Sequence, residues 1–308
     1  MSPARRNEFE LIRRLAARLG PAPEGLIGIG DDAAGVPDGE GWLLYTCDVA
    51  VEGRHFRLGQ MPPADIGWRL ASANVSDIVA CGGLPRHVLV SLGVPPHVAD
   101  EQLDALYAGL AEAGRDFGFH VIGGNVSGAH ELFVDLFMTG HTSRFVPRGG
   151  ARPGDVLAVS GPLGGSAAGL EILGRGARDE SERALVRRHL RPRARTDFAE
   201  ALRAAASAAI DISDGLSSEL HHLAEASHVR LELESARIPR APELRAYAGA
   251  DPAASLGWAL RGGEEYSARD DEPPPDMQRR TFRLPDQFQL FRIKPLVRSA
   301  IAHGAYFP

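Results

Sequence analysis

The chain has 308 residues, of which 44% are hydrophobic and 24% are charged, so it has the length for two domains and the composition of a soluble globular protein. Its 34 Lys and Arg residues against 40 Asp and Glu residues give a net charge of -6, which argues against a nucleic-acid partner and an anionic membrane surface. The chain turns acidic at Glu8, where a signal peptide would need an apolar core, and no run of about 18 apolar residues follows, so we expect a cytoplasmic protein without a membrane partner.

The basic residues exclude two common ways of handling phosphate. Every basic residue except Lys294 is an arginine. A P-loop needs a lysine after a glycine-rich loop, and a protein kinase needs a lysine on a strand beside the phosphates. Lys294 lies between Ile293 and Pro295, with no such loop before it. If this chain handles phosphate, it must use metal ions, arginines and backbone amides.

The first predicted elements are an amphipathic helix over about 8–19 and a glycine-rich turn, Gly28-Ile29-Gly30, that leads into Asp31 and Asp32. The turn has two interpretations. It is either an exposed turn, since Gly and Asp are common turn formers, or a site for a divalent cation. Because adjacent carboxylates repel, the sequence alone also predicts that Asp32→Asn would leave the metal-free fold equally stable or more stable.

Two more aspartates lie where predicted elements end. A strand over 42–47 finishes at Asp48, and a helix is predicted over about 64–80. The apolar stripe of that helix continues to Asp77, with Asn74 beside it. An unpaired charge on an apolar face costs several kcal/mol, so Asp77 either caps another element or ligates a metal.

The remaining elements of the N-terminal half complete a sheet. Strands are predicted over 86–93, 119–122 and 132–140, with a helix over 99–117. The second of these strands ends in Gly123-Gly124-Asn125. Because the connections include hairpins, the pattern favours an α+β fold with a mixed sheet and flanking helices over a doubly wound parallel sheet.

A turn-rich segment over 145–155 predicts a domain boundary, which divides the chain into domains 1–148 and 149–308. The second domain is predicted to be α/β, with strands over 155–160 and 209–212. The latter breaks into an acidic turn with the sequence Asp211-Ile212-Ser213-Asp214-Gly215, followed by a helix over 216–226.

The acidic turn has two interpretations. Two carboxylates and a hydroxyl within four residues suit a hard cation, although Ser213 or Asp214 would also serve as a helix N-cap. The EF-hand pattern is not met, because Gly215 occupies loop position 5 where that pattern has it at position 6. The dinucleotide fingerprint suggested by the first turn is not met either, because residues 35–39 cannot open a helix.

Six aspartates therefore lie at turns, strand ends and one helix face, close in sequence to glycine-rich backbone. They are Asp31, Asp32, Asp48, Asp77, Asp211 and Asp214. Mg²⁺ is commonly held by one or two carboxylates together with substrate phosphates, so several acids can share several ions. The set suits a site for Mg²⁺ and a nucleotide.

Five short motifs occur in a fixed order. They are Gly28-Ile29-Gly30-Asp31-Asp32-Ala33, Thr46-Cys47-Asp48 with Glu52-Gly53-Arg54-His55-Phe56, Asn74-Val75-Ser76-Asp77, Asp211-Ile212-Ser213-Asp214-Gly215, and Gly262-Gly263-Glu264-Glu265-Tyr266. With these motifs the sequence, from about residue 8 to 266, resembles the thiamine-monophosphate kinase family. That family belongs to the superfamily that includes aminoimidazole ribonucleotide synthetase.

The resemblance implies ATP- and Mg²⁺-dependent phosphorylation of thiamine monophosphate to thiamine diphosphate, by direct in-line transfer without a phosphoenzyme. It also implies a homodimer built on the N-terminal domains, with the C-terminal domain covering the active site. No acid or base residue is assigned, because an acceptor phosphate is already ionised near neutral pH.

The resemblance also implies roles for individual residues. The positions that match Mg²⁺ ligands or their acidic cluster are Asp31, Asp32, Thr46, Asp48, Asp77, Asn125, Asp211 and Asp214. Those that match nucleotide contacts are Tyr107, Gly124, Asn125, Arg148 and Ser213. His55, Glu264 and Tyr306 match positions that hold thiamine monophosphate.

Two alternatives stay open on the sequence alone. Asn125 and Glu265 replace aspartates usual in the family, and the tail after about 267 departs from its pattern, which would suit a nucleotide-binding paralogue with weakened or lost catalysis. The other alternative is an ATP-dependent synthetase of the same superfamily with another substrate. The reactive cysteines of its selenophosphate and hydrogenase-maturation members have no counterpart here.

Overall fold

A computed structural model of the chain describes residues 8–249 and 251–263. The N-terminal half contains helices α1 (Glu8–Leu19), α2 (Pro63–Ala80) and α3 (Asp100–Phe117), with strands β1 (Ala34–Asp38), β2 (Gly41–Val51), β3 (Leu84–Val94), β4 (His120–Gly128) and β5 (Phe133–Thr142). The later helices are α4 (Gly165–Arg175), α5 (Glu180–Leu190), α6 (Ala199–Ala205), α7 (Leu216–Ser227), α8 (Pro242–Ala248) and α9 (Pro252–Arg261), with short 3-10 turns at Thr196–Phe198 and Ser235–Arg237. None of the helices in this described part is both long and apolar enough to cross a bilayer.

The five strands form one mixed sheet in the order β1-β2-β5-β3-β4. Only the β3–β4 pair is parallel, and the other three pairs are antiparallel. The prediction of an α+β fold with a mixed sheet is confirmed. The sequence missed β1, which forms a hairpin with β2 and contains Pro37. A proline is tolerated there because an edge strand does not need every backbone N–H for pairing.

One face of the sheet is covered by α2, which is buried along most of its length and packs against α3. Alternating residues of β3 and β5, such as Val90, Leu136 and Met138, point into this core. The opposite face is open in the single chain. Leu89 and Phe137, which are paired in register, are both exposed there.

The described residues after Thr142 contain no strand, although two were expected. The segments 155–160 and 209–212 have no regular secondary structure apart from isolated bridge residues, and the first N–H of each bonds outside any strand pairing. The N–H of Ala209 donates to the carbonyl of Pro147 at 3.1 Å, and that of Asp155 donates to Arg152 at 3.0 Å. The described part of the second half is therefore mainly helical and packs its own apolar clusters.

The end of α5 and the residues that follow it bind the N-terminal helices. Trp68 on α2 donates its indole N–H to the carbonyl of Pro192 at 2.5 Å, and Arg69 donates to the carbonyl of His189. Arg191 donates to Asp65 on α2 at 2.6 Å, within an ion pair. These contacts fix the position of the second half against α2.

His189 generates a prediction about stability. Its side chain is 1% exposed and its Nδ1 lies 3.1 Å from the hydroxyl of Ser166. Burial, together with the positive charge of Arg69, holds the pKa of His189 well below its ordinary value. The unfolded chain therefore binds more protons than the native protein, so stability is present above pH 6.5 and is lost as the pH falls further.

We expect the wild type to lose stability relative to His189→Gln, by up to roughly 1.4 kcal/mol for each pH unit below about 6. The measurement is urea unfolding of both proteins at several pH values between 7.5 and 5. Taking the difference cancels the titration of all other groups. A difference that does not change with pH would contradict a neutral, buried His189.

Candidate active site

The first acidic turn meets an arginine from the far end of the N-terminal half. Gly30 has a φ of +128°, a backbone conformation that favours glycine, and the chain then enters Asp31 and Asp32. The Asp32 side chain is only 3% exposed, and its Oδ1 accepts a hydrogen bond from the Arg148 guanidinium. Its Oδ2 is buried and has no hydrogen-bond partner within the described chain. Burial raises the pKa of Asp32, and Arg148 opposes that shift.

Asp31 contacts the backbone of the same arginine, whereas Asp32 contacts its guanidinium. Its carboxylate accepts the backbone N–H of Arg148 at 3.0 Å and that of Asp32 at 3.1 Å. Burial and the adjacent charge of Asp32 raise the pKa of Asp31 to about 6. The buried Cys81 thiol lies 4.0 Å from the Asp31 carboxylate and stays protonated, because burial and the neighbouring carboxylates raise its pKa well above the ordinary value.

A second group of oxygen atoms forms where β2 faces α2. Thr46 and Asp48 are two residues apart in β2, so their side chains lie on the same face of the strand. The Thr46 hydroxyl donates to Asp77 on α2 at 2.6 Å. Burial and the charges of Asp48, Asp211 and Asp32 raise the pKa of Asp77 well above its ordinary value. Burial, followed by the charge of Asp135, raises that of Asp48 to about 6.

The acidic turn of the second half reaches the same place. Asp211 is buried, and its Oδ2 accepts a hydrogen bond from the hydroxyl of Ser76, one residue before Asp77 on α2. The distance is 3.1 Å. The backbone N–H of Asp211 also bonds to the Asp32 carboxylate. Asp32, Asp77 and Asp211 therefore form one cluster drawn from both halves of the chain.

Ser213 and Asp214 of this turn contact the carboxylate of Glu219, a residue that no sequence motif indicated. Asp214 itself is exposed, while its backbone N–H donates to Glu219 Oε1 at 2.9 Å. The Ser213 hydroxyl lies 3.5 Å from the same oxygen. Burial and the charges of Asp214 and Asp32 raise the pKa of Glu219 to about 7. A Glu in the first turn of a helix that follows Ser-Asp-Gly resembles a capping box, in which an acid accepts a backbone N–H before the helix. That pattern is the sequence signal that could have indicated Glu219.

His55 lines a cavity of about 110 Å³ beside β2. Asp48 and Arg69 share the lining with mainly apolar side chains, including Phe56 and Met61. His55 Nδ1 accepts the backbone N–H of Val51 at 3.0 Å, so the neutral ring carries its proton on Nε2. The cavity offers an apolar wall with a donor and a carboxylate at its edge.

Other residues expected at the site lie elsewhere in the single chain. Tyr107 on α3 packs against the N-terminal core. Gly124 and Asn125 lie on the edge strand β4, which β5 and β3 separate from Asp48 on β2 by about 14 Å at ordinary strand spacing. Asn125 pairs in register with Ser91. The residues on either side of Ser91, Val90 and Leu92, point into the core under the helices, so Ser91 and Asn125 lie on the open face. Glu264 and Tyr306 lie outside the described residues.

The clustered side chains fit a hard divalent cation such as Mg²⁺. The donors are carboxylate and hydroxyl oxygens, which Mg²⁺ prefers over nitrogen and sulfur. The uncompensated Oδ2 of Asp32 and the mutual repulsion among the buried acids are what a cation would relieve.

Comparison with known proteins identifies the family. The model of the AIR synthase related protein N-terminal domain matches residues 30–142, and the C-terminal domain model matches residues 152–259. The thiamine-monophosphate kinase of Aquifex aeolicus is 42% identical over 240 residues, which cover 77% of this chain and 78% of that protein. The chain belongs to the thiamine-monophosphate kinase family.

Further members of the thiamine-monophosphate kinase family extend the match. The Bacillus subtilis protein is 35% identical over 272 residues, covering 84% of this chain and 82% of that protein. A solved structure described as AaThiL complexed with AMPPCP and TMP is 40% identical, with a TM-score of 0.79 over 84% of this chain and 82% of that one. A HypE–HypF complex, 16% identical with a TM-score of 0.58 over 76% and 75% of the two chains, shares the fold alone.

The ion pair between Asp32 and Arg148 changes the expectation for Asp32→Asn. Asp32→Asn leaves the Arg148 guanidinium without its ion-pair partner and with only the charges of Asp31 and Asp211 near it. We expect that cost to exceed the relief of repulsion with Asp31 and Asp77. We expect the metal-free protein to lose roughly 2 kcal/mol or more of unfolding free energy. Denaturant unfolding in EDTA measures it.

The double variant Asp32→Asn with Arg148→Met is the control, because it removes both charges. It should be more stable than Asp32→Asn alone. If Asp32→Asn is as stable as the wild type, repulsion between Asp31 and Asp32 outweighs the pair with Arg148.

Proposed function

We propose that this protein catalyses the ATP-dependent phosphorylation of thiamine monophosphate to thiamine diphosphate. The observation that carries the proposal is the buried acidic cluster of Asp32, Asp77 and Asp211, in a chain of this family. A relative of 40% identity is described as complexed with AMPPCP, an ATP analogue, and TMP, which supports both substrates. The proposal includes a cytoplasmic location, where ATP is available.

The cofactor in this proposal is Mg²⁺, as several ions. The residues that would hold the ions are Asp31, Asp32, Thr46, Asp48, Asp77, Asp211 and Asp214, with Asn125 as a further oxygen donor. Bound Mg²⁺ supplies the positive charge that offsets repulsion between two phosphorylated substrates.

The residues of the chain bind and orient the two substrates. Arg148 and Ser213 bind the nucleotide phosphates beside the acidic cluster, and Tyr107, Gly124 and Asn125 complete the nucleotide site. The cavity beside His55 takes thiamine monophosphate, together with Glu264 and Tyr306. Because the acceptor phosphate is already ionised, alignment of the two phosphates, without a general base, lowers the barrier.

The proposed organisation has two domains, 1–148 and 149–308, with the reaction between them. Asp32 and Asp77 come from the first and Asp211 from the second, joined by the hydrogen bond from Ser76. Placing ligands on both domains makes the site depend on their mutual position, which the contacts of Trp68 and Arg191 support.

The test of the proposed function is a reaction of the purified protein with ATP, Mg²⁺ and thiamine monophosphate, with thiamine diphosphate quantified by chromatography. We expect turnover, and a loss of at least about 100-fold for Asp77→Asn, because that change removes a charge from the cluster. Asp104→Asn, at an exposed position of α3, is the matched control and should retain wild-type activity.

The outcome that would contradict a kinase is the absence of product from well-folded protein. Calorimetry then distinguishes the alternatives. Binding of Mg·ATP without turnover on any phosphate acceptor would favour a nucleotide-binding paralogue, whereas turnover on another acceptor would favour a related synthetase.

We also infer a homodimer formed through the open sheet face. Val49, Leu89 and Phe137 expose large apolar side chains on that face, and Ile122 and Val126 are 63% and 65% exposed along β4. An apolar surface of this kind, next to an unpaired strand edge, marks an interaction site. Asn125 shares this face, so a second copy would approach residues of the proposed nucleotide site.

Light scattering tests the dimer. We expect the wild type to have the mass of two chains at micromolar concentration, and Leu89→Asp to shift it toward one chain, because a charge would be buried in the interface. Leu233→Asp is the matched control, since Leu233 and Leu89 are both 42% exposed. A wild type with the mass of one chain would contradict the dimer.

A further inference from the structure

The turn 211–215 carries Ser213 of the proposed nucleotide site and Asp214 of the proposed Mg²⁺ ligands, and the geometry points to Glu219 as the residue that positions them. We propose that Glu219 is a positioning residue: its carboxylate fixes the turn so that Ser213 faces the bound nucleotide and Asp214 faces the cation beside it. This inference rests on the proposed function and deepens it. Glu219 itself is not proposed to contact substrate.

The contacts of Glu219 are aimed at this turn. Its side chain is 4% exposed, and it lies in the first turn of α7, which has Gly215 as its N-terminal cap residue. Gly215 offers no side chain to satisfy the turn, so the Glu219 carboxylate folds back to accept the N–H of Asp214 at 2.9 Å. The same oxygen lies 3.5 Å from the Ser213 hydroxyl, so one carboxylate orients both residues.

Other contacts fix the remaining sides of the turn. Ser76 holds the side chain of Asp211 at 3.1 Å. Gly263 approaches so closely that a Cβ there would lie 2.1 Å from the Ser213 carbonyl, and a Cβ on Gly215 would lie 2.9 Å from the Arg261 backbone. The backbone is therefore enclosed, and Glu219 decides the direction of the two polar residues at its exposed end.

The charge environment argues that Glu219 serves more than packing. A buried carboxylate near Asp214 and Asp32 carries a cost from desolvation and from like charge. An apolar side chain of similar size would avoid that cost but could not accept a hydrogen bond from the turn. An apolar residue therefore cannot replace the carboxylate oxygen of Glu219 that accepts the Asp214 N–H.

Two variants separate the acceptor from the charge. Glu219→Gln keeps an acceptor oxygen at the same reach and removes the charge, whereas Glu219→Leu keeps the bulk and removes the acceptor. Glu225→Gln, at an exposed position of the same helix, is the control. For each protein, calorimetry measures the Kd of a non-hydrolysable ATP analogue with Mg²⁺ and without thiamine monophosphate. Kinetics measures the KM for thiamine monophosphate, and thermal unfolding reports stability.

We expect Glu219→Leu to weaken nucleotide binding by about tenfold or more, while Tm is unchanged or higher and the KM for thiamine monophosphate stays within about threefold. Glu219→Gln and Glu225→Gln should bind the nucleotide within about threefold of the wild type. A merely structural role would not produce this split between the nucleotide and thiamine monophosphate.

Several outcomes would overturn the role of Glu219. They are wild-type nucleotide affinity in Glu219→Leu, an equal loss in Glu219→Gln, or failure of Glu219→Leu to fold while Glu219→Gln folds and binds normally. A wild type that binds no Mg²⁺–nucleotide would instead count against the proposed function itself, so the two failures are distinguishable.

Discussion

The repulsion among buried carboxylates is the constraint on which the rest of the site depends. Asp32, Asp77 and Asp211 come from three distant segments, and the charges of Asp48, Asp211 and Asp32 add to the cost of burial in ionising Asp77. A fold does not gain stability from such a cluster, since like charges in a poorly solvated place oppose their own burial. The apolar core around α2 supplies the stability that offsets this cost, and the Arg148 guanidinium compensates part of the charge.

Helix α2 joins the two halves of the chain through its first half and contributes to the acidic cluster near its end. Near its start, Trp68 and Arg69 bind the segment after α5, which fixes the second half of the chain. Near its end, Ser76 and Asp77 point to Asp211 and Thr46. Because all four side chains project from one rigid helix, the packing that joins the two halves also sets the separation of the carboxylates.

The sequence predicts the N-terminal elements well because each has a strong local period, and the family motifs identify the acidic residues. The pairing of Asp32 with Arg148 was not predictable, since it joins residues that are far apart in the chain. The position of Asn125 depends on the strand order, which no local pattern encodes. The expected strand over 209–212 shows the same limit, because an apolar run becomes a strand only where a partner edge meets it.

The contact between Arg148 and Asp32 bears on how the proposed site changes with its ligands. In the single chain, the guanidinium serves Asp32 and the backbone N–H of the same residue serves Asp31. The proposed function assigns this guanidinium to nucleotide phosphates as well, and its five N–H donors allow it to bind a phosphate oxygen while it holds Asp32. The Oδ2 of Asp32, which accepts no hydrogen bond within the described chain, would be the oxygen available to a cation beside that phosphate. A cation on Asp32 and a phosphate on Arg148 would lie side by side with opposite charges, so binding of each would favour binding of the other.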